Sequence, residues 1–507
     1  MPDDLMSADQ YRILGHTPLV MSIPTQLADT ERMDLEYYRP RFVEAQTRIR
    51  ESGLSLRPLD TLRDPQRIIT DGIRKHTKTE SGVVLIRTQN FEDASLSLDN
   101  CVYVDTPQHE AALKSAVHPG DLLIAIRGYL GKAAIVGPNA PTANINQHIA
   151  RVAVDPRRAD SGYLWAFFSS LTGTALLEQQ VTGTVQQGIV LPALRELQIP
   201  LPPRPVQEYI GAKVRLAERC RTRAQELWKA SQRILAEALG MPLDRGYFER
   251  IDPDELQSAS YRLVGVKPVV AWVQTDLVEH ELGSQYFHPR RANVILKLRS
   301  AGVELKRLAD LARRRNDRVS AAQVNQVPYY VGLADIDSTM GYFDPVSPQD
   351  AGISGTSALF KADDILFSKL RPYLNKVSIC PPHVKQASGS TELLVYRTDK
   401  AVLPYYVFFV LKSNVGLYQI VDVTTGSTLP RVDPEVVDDA LVPSISVEHQ
   451  QVIDSNVKHA LALRHQASQL VREAKADVEA LIEGLLDADG IVAGRVRPPT
   501  WEEVAPA

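Results

Sequence analysis

Two clusters of basic, aromatic and amide side chains recur in this chain, and their chemistry is that of DNA contact. One holds Arg127, Tyr129 and Lys132; the other holds Lys369, Arg371, Tyr373, Asn375 and Lys376. A guanidinium can fork onto guanine, and Lys or Arg can meet phosphates. Around the first cluster lie Arg87, Gln89 and Asn90, then Asn146, Gln147 and His148. Asn and Gln can pair bidentately with adenine edges, although a single amide as readily ties a loop together. A Gly-Thr/Ser loop accompanies each cluster: Thr182-Gly183-Thr184 with Gln186, and Thr425-Gly426-Ser427 with Thr428 and Arg431.

No catalytic constellation accompanies them. A fused methyltransferase would need an Asp/Asn-Pro-Pro-aromatic motif, but the Pro-Pro pairs are followed by Arg204, His383 and Thr500. Gly131-Lys132 is followed by Ala133 and has no upstream glycine at P-loop spacing. Glu304-Leu305-Lys306 has a nuclease-like spacing, yet its first-half equivalent, Ser55-Leu56-Arg57, reads as a polar strand surface. His148 lacks a ligand-spaced partner. Cys101, Cys220 and Cys380 lie far apart with no CxxC, which argues against a disulfide framework or a zinc site. The expectation is a non-catalytic chain with no metal or cofactor of its own, in a reducing cytoplasm. There is no apolar run of bilayer length, so no membrane is expected.

The elements that position these residues come in duplicate. Displacing the chain by 250 sets Tyr11 to Gly15 on Tyr261 to Gly265, and one residue less sets Tyr37 to Arg41 on Tyr286 to Arg290. Asp121-Leu122-Leu123 meets Asp364-Ile365-Leu366, and after a slip Arg127, Tyr129 and Lys132 meet Arg371, Tyr373 and Lys376. A unit of about 240 residues is therefore present twice. Each half opens with short β-like runs (Val83 to Arg87, Asp121 to Ile126, Tyr329 to Leu333) and an amphipathic helix (Tyr163 to Leu177, Tyr405 to Leu417). A proline-punctuated stretch then leads into a long helix. In the first helix small or apolar residues recur from Ile210 through Val214, Ala217 and Cys220 to Ala238. Ile453 through Val457, Ala460 and Leu463 to Leu481 repeat them at a constant shift of 243. Steps of three and four over this length make a coiled-coil seam, most simply between the two helices of one molecule, antiparallel.

The expected class is α+β: two recognition domains, each followed by a long helix, the helices packed as an antiparallel coiled coil with pseudo-two-fold symmetry. The boundaries are 1–203, helix 204–240, 241–445, helix 446–490 and tail 491–507, with residues 1–31 and 250–280 a further repeated segment of unassigned role. Two modules held apart by rigid helices suit duplex DNA, whose half-sites recur at a fixed helical spacing. The net charge of −4 does not oppose this, because the placement of charge decides DNA binding. Arg204 to Arg233, and Lys306 to Arg318, are locally basic and suited to phosphates.

At these residues the chain resembles the specificity subunits of type I restriction–modification systems. The resemblance rests on Tyr330 to Ile336, Asp363 to Leu366 continuing through Lys369 to Lys376, and Thr425 to Val432. In the first half it rests on Gly120 to Ala125, Asn144 to His148 and Ile199 to Pro203 leading into Gln207-Glu208. It implies two target-recognition domains reading a bipartite DNA sequence. It also implies two modification subunits that bind S-adenosylmethionine and methylate adenine, and usually an ATP-driven restriction subunit. A protein-interaction scaffold of a defence complex, without sequence readout, is the alternative.

Overall fold

The computed structural model describes residues 12–16, 19–22, 32, 34–98, 101–183, 187–250, 256, 261–266, 269–273, 285–353 and 355–505. The chain divides into two compact units, 1–219 with 467–504 and 220–466 with 505–507.

In the first unit, β1 (Arg12–His16) and β2 (Leu19–Ser22) form a hairpin whose register shifts between Ile13 and Gly15. Helix α1 (Pro40–Glu51) precedes β3 (Ser55–Pro58), and β4 (Thr70–Asp71), β5 (Val83–Ile86) and β6 (Val102–Val104) follow. The centre of the module is β7 (Leu122–Ala125), β8 (Ala133–Ile135), β9 (Ala143–Ile145) and β10 (Ile149–Val152). One sheet runs β8-β7-β10-β4, and a second runs β9-β5-β6 with β9 parallel to β5. Strands buried on both faces read as unbroken apolar runs, which is why Leu122 to Ala125 carries no alternation. Ile86, Leu123, Ala125, Ala134, Ile145 and Ile149 fill the core. After α2 (Ser161–Ser169) and α3 (Leu171–Gln179) come β11 (Val181–Thr182), β12 (Gly188–Ile189), β13 (Gln198–Leu201), which pairs with β3, and the long α4 (Arg204–Leu239).

The second unit repeats this plan. Helix α5 (Arg245–Glu249) leads to a hairpin of β14 (Tyr261–Val266) and β15 (Val269–Val273) with the same register shift, here between Leu263 and Gly265. The segments left unassigned by sequence are thus matching hairpins where described; their remaining parts lie outside the described residues. Then follow α6 (Pro289–Ser300), β16 (Glu304–Arg307), β17 (Ala312–Arg315), β18 (Arg318–Val319), β19 (Tyr330–Val331), β20 (Ser357–Phe360), β21 (Ile365–Ser368), β22 (Val377–Ile379), β23 (Ala387–Gly389) and β24 (Leu393–Thr398). Sheets run β17-β24-β21-β22 and β18-β20-β23-β19, with β23 parallel to β19. Helices α7 (Pro404–Lys412) and α8 (Asn414–Ile420), strand β25 (Leu441–Ser444) and the start of long helix α9 (Val447–Ile482) complete it; the rest of α9 and short α10 (Ala488–Val492) belong to the first unit. The fold is mixed α and β, as expected.

The single amphipathic helix expected in each half is two helices. At Ser170 the hydroxyl accepts from Gly173 N at 3.1 Å, starting α3 anew. A Cβ on Gly173 would lie 1.8 Å from Phe167 O, and one on Gly416 2.4 Å from Leu411 O, so both breaks depend on glycine. The motif carboxylates Asp121 and Asp364 are scaffold. Arg67 holds Asp121 with two bonds of 2.7 Å, and Arg397 holds Asp364 with two of 2.7 Å. Both carboxylates are buried.

Another carboxylate keeps its task but changes its place. In the first unit Asp160 caps α2, accepting from Tyr163 N at 3.0 Å, and a Cβ on Gly211 would crowd it at 2.0 Å. In the second unit the cap position is Leu403, and the residue equivalent to Gly211 is Asp454. Its Oδ1 accepts from Tyr405 N and Tyr406 N at 2.8 and 3.1 Å. The helix start is satisfied either way.

Both long helices have 36 residues, about 54 Å at 1.5 Å per residue. Their seam residues are buried, save half-buried Leu227 and Ala238. In the first unit the helices pack together: Lys213 Nζ lies 2.7 Å from Asp477 and 3.5 Å from Glu473. Arg48 of α1 joins them through Glu479 and Glu483. In the second unit Trp228 of α4 packs edge-on against Phe408 and Phe409 of α7.

Candidate DNA-contact edges

In the first unit, backbone hydrogen bonds tie four loops into one edge. Asn146 N donates to Ile86 O at 3.1 Å, joining the loop after β9 to the loop after β5. Ile126 N donates to His148 O at 2.9 Å, and Ile189 N to Ile126 O at 2.9 Å, which adds the turn after β7 and the β11–β12 hairpin. The edge therefore gathers Arg87, Gln89, Arg127, Tyr129, Lys132, Asn146, Gln147 and His148. Arg127, Tyr129, Lys132 and Gln89 are exposed; Arg87, Asn146, Gln147 and His148 are half-buried. Lys132 Nζ sits 5.1 Å from the Tyr129 ring centroid, so cation and ring are presented together. Asn90 serves the loop instead. It is buried, its Oδ1 accepts from Arg87 N at 2.9 Å and its amide donates to Ser97 O at 3.1 Å. Thr184 and Gln186 lie outside the described residues.

Two further cations stand at this edge without having been singled out. Gln147 N donates to Ile73 O at 3.1 Å, which brings exposed Arg74 and Lys75 beside the loop. The approach is close, since a Cβ on Gly72 would meet Ile145 O at 1.8 Å. The signal was the run Arg74-Lys75-His76, which begins two residues after that glycine and has no counterpart in the second half.

The second edge is built on the same bonds. Lys369 N donates to Glu392 O at 3.0 Å, Arg371 N to Pro430 O at 2.8 Å and Val432 N to Lys369 O at 3.0 Å. Gly332 N donates to Asp335 Oδ2 at 2.7 Å, as Arg87 N does to Asn90. Lys369, Arg371, Tyr373, Ser427, Thr428 and Arg431 come together, with Tyr373, Ser427 and Thr428 exposed. Arg371 occupies the left-handed region at φ 48°, and its Nε is buried with no hydrogen-bond partner among the described residues. Left-handed backbone costs a side-chain-bearing residue about 1 kcal/mol.

Asn375 and Lys376 are pinned inward. Asn375 Nδ2 donates to Lys412 O at 2.9 Å, Lys412 Nζ donates to Asn375 O at 2.6 Å and to Asp337 O at 3.2 Å, and the Lys376 ammonium donates to Ile336 O. Burial pushes the Lys412 ammonium down to about 7. These residues shape the turn, and its exposed surface is Tyr373 and Leu374.

The bonds also correct the pairing of the clusters. Ile126 and Lys369 donate equivalently, and Arg127 bridges Gly188 as Leu370 bridges Arg431. Ala125 N reaches Lys132 O, while Ser368 N reaches Lys376 O. The extra residue therefore lies inside the second turn, and Arg371 matches Gly128, which is also left-handed at φ 77°. Arg127 and Arg371 are not equivalent.

The two basic stretches are largely consumed by internal partners. On α4, Arg204 pairs with Glu208, Lys213 with Asp477, Arg215 with Asp160 and Arg223 with Glu226, and Arg219 lies over the Trp501 ring. Lys306 pairs with Glu304, Arg307 with Asp310, Arg313 with Asp399, Arg314 with Glu435 and Arg315 with Asp317. Exposed Lys229 and Arg233 are among the remainder. Among the described residues no group of three His, Cys, Asp or Glu could hold a metal, and no helix is long and apolar enough to cross a membrane.

No family model matches the sequence, and no curated protein matches it. Solved structures do. The chain is similar to the S subunit of a type I restriction–modification system from M. genitalium, at 12% identity over 86% of this chain and 96% of that one, with a TM-score of 0.43. It is similar to the HsdS subunit from Thermoanaerobacter tengcongensis at 16% identity, over 86% of this chain and 97% of that one, with a TM-score of 0.27. A third match comes from a structural study of type I system assembly and conformational transition. It has 15% identity over 86% of this chain and 98% of that one, with a TM-score of 0.28.

Proposed function

We propose that this chain is a DNA sequence-specificity subunit of a type I restriction–modification system. It recognises a bipartite duplex target and directs adenine-methyltransferase subunits to it. One observation carries the reading: two loop edges share a backbone frame bond for bond, yet differ in the side chains they present. Arg87 stands where the second edge has Gly332, His148 where it has Glu392, and Gly188 where it has Arg431. A shared frame with diverged polar tips is what two readers of different half-sites require.

The chain itself is non-catalytic in this reading. S-adenosylmethionine belongs to the two methyltransferase partners, and ATP to a restriction subunit where the system has one. The two long helices, paired as an antiparallel coiled coil, set the spacing of the readers, and the system works in the cytoplasm. Loop phosphate contacts make binding fall as salt rises, by a slope near one unit per phosphate neutralised. The test is duplex binding by the chain with its methyltransferase across a salt series. Preference for one bipartite duplex supports the reading, and equal binding to unrelated duplexes overturns it.

A further inference from the structure

The second edge contains an ion pair that the first lacks. Arg431 Nε lies 3.1 and 3.2 Å from the two carboxylate oxygens of Glu392, and its NH2 lies 2.8 Å from Oε1. NH1 donates to Leu429 O at 3.3 Å. Lys369 Nζ stands 3.9 Å from the same carboxylate. The backbone holds both partners: Arg431 exchanges hydrogen bonds with Thr425 at 2.8 Å each way and bridges Leu370, and Glu392 O accepts from Lys369 N. The Arg431 side chain is 42% exposed, against 22% for Glu392. The guanidinium is thus clamped from one side and open on the other.

A guanidinium has five N–H donors. Glu392 takes the Nε proton and one from NH2, and Leu429 takes one from NH1. One donor remains on each terminal nitrogen. Two parallel donors with that spacing match O6 and N7 of guanine in the major groove. A surface ion pair of this kind adds little to stability, so its orientation of the guanidinium is its main consequence.

We propose that Arg431 reads a guanine in the half-site of the second module, and that Glu392 is the positioning residue that aims it. The inference rests on the DNA-specificity reading and names one base that the second edge selects. The first module, with Gly188 and His148 at these positions, has no such clamp.

The test is selection of bound sequences from randomised duplexes, using the full chain in complex with its methyltransferase partner. Wild type, Arg431→Ala and Glu392→Gln are compared. Arg431→Ala is expected to erase the preference at one G·C pair of one half-site, about tenfold or more, and to leave the other half-site intact. Glu392→Gln is expected to relax the same pair to a smaller extent. A merely structural role would weaken binding to every selected sequence without relaxing any single position, and that result overturns the proposal. An unchanged consensus in Arg431→Ala also overturns it, while the specificity reading stands. No consensus in wild type overturns both.

Discussion

Removing either member of the Lys213–Asp477 pair should destabilise the first unit far more than an ordinary surface change, and removing both should not. The Lys213 side chain is 7% exposed and Asp477 16%, with Nζ and Oδ2 2.7 Å apart. At an effective dielectric of 20 the gross attraction is about 6 kcal/mol, which several kcal/mol of desolvation per ion largely cancels. Deleting Lys213 leaves Asp477 buried and uncompensated, at a cost of about 3 kcal/mol, while deleting Asp477 leaves Lys213 only the more distant Glu473, 3.5 Å away; a double apolar replacement is near neutral. For a unit of this size that cost moves the melting temperature by on the order of 10 °C. Lys213→Met, Asp477→Leu and the double variant, compared by urea and thermal unfolding, form the cycle. Burial pushes the Asp477 carboxyl above its usual range even with Lys213 bonded to it. A raised carboxyl favours the folded state below its unfolded value near 4 and loses that benefit as pH rises. The Lys213→Met deficit should therefore grow as pH rises above about 4. Additive single effects below about 0.5 kcal/mol would mean that the two helices do not meet in this register.

Gly173→Ala and Gly416→Ala should each cost about 2 kcal/mol, because the added carbon meets backbone oxygen in both; thermal unfolding reads this. Asp454→Ala should cost about 1 kcal/mol by leaving the starting amides of α7 unsatisfied. Lys412, lowered to about 7 by burial, binds its proton less readily folded than unfolded. Stability should accordingly fall as pH drops from about 10 toward 7, and Lys412→Met should flatten that slope in urea titrations.

The sequence made the duplication and the helical seam legible because both depend on periodicity, which survives divergence. The repetition of the segments around Gly15 and Gly265 was legible too, but their hairpin form was not. Local chemistry was harder to place. The break at Ser170 is written in a serine three residues before a glycine, a short capping signal inside an apolar run that otherwise reads as one helix. The equivalence of Arg87 and Gly332 was hidden because backbone bonds, not side-chain types, define it. The extra residue beyond Arg371 has only the left-handed backbone of Gly128 and Arg371 to locate it. The transfer of the cap from Asp160 to Asp454 joins residues far apart in the chain, and a single sequence carries no mark of that. Sequence could nominate Asn375 and Lys376 as polar, but only packing shows that Lys412 and Ile336 hold them inward.

In the proposed function, two diverged edges on one duplicated frame select the sites of adenine methylation. Methylome sequencing of cells with and without this chain tests it most directly. A bipartite methyladenine motif, two specific parts around a non-specific spacer, is expected, and it should disappear when the chain is removed. An identical set of methylated sites in both strains would contradict it.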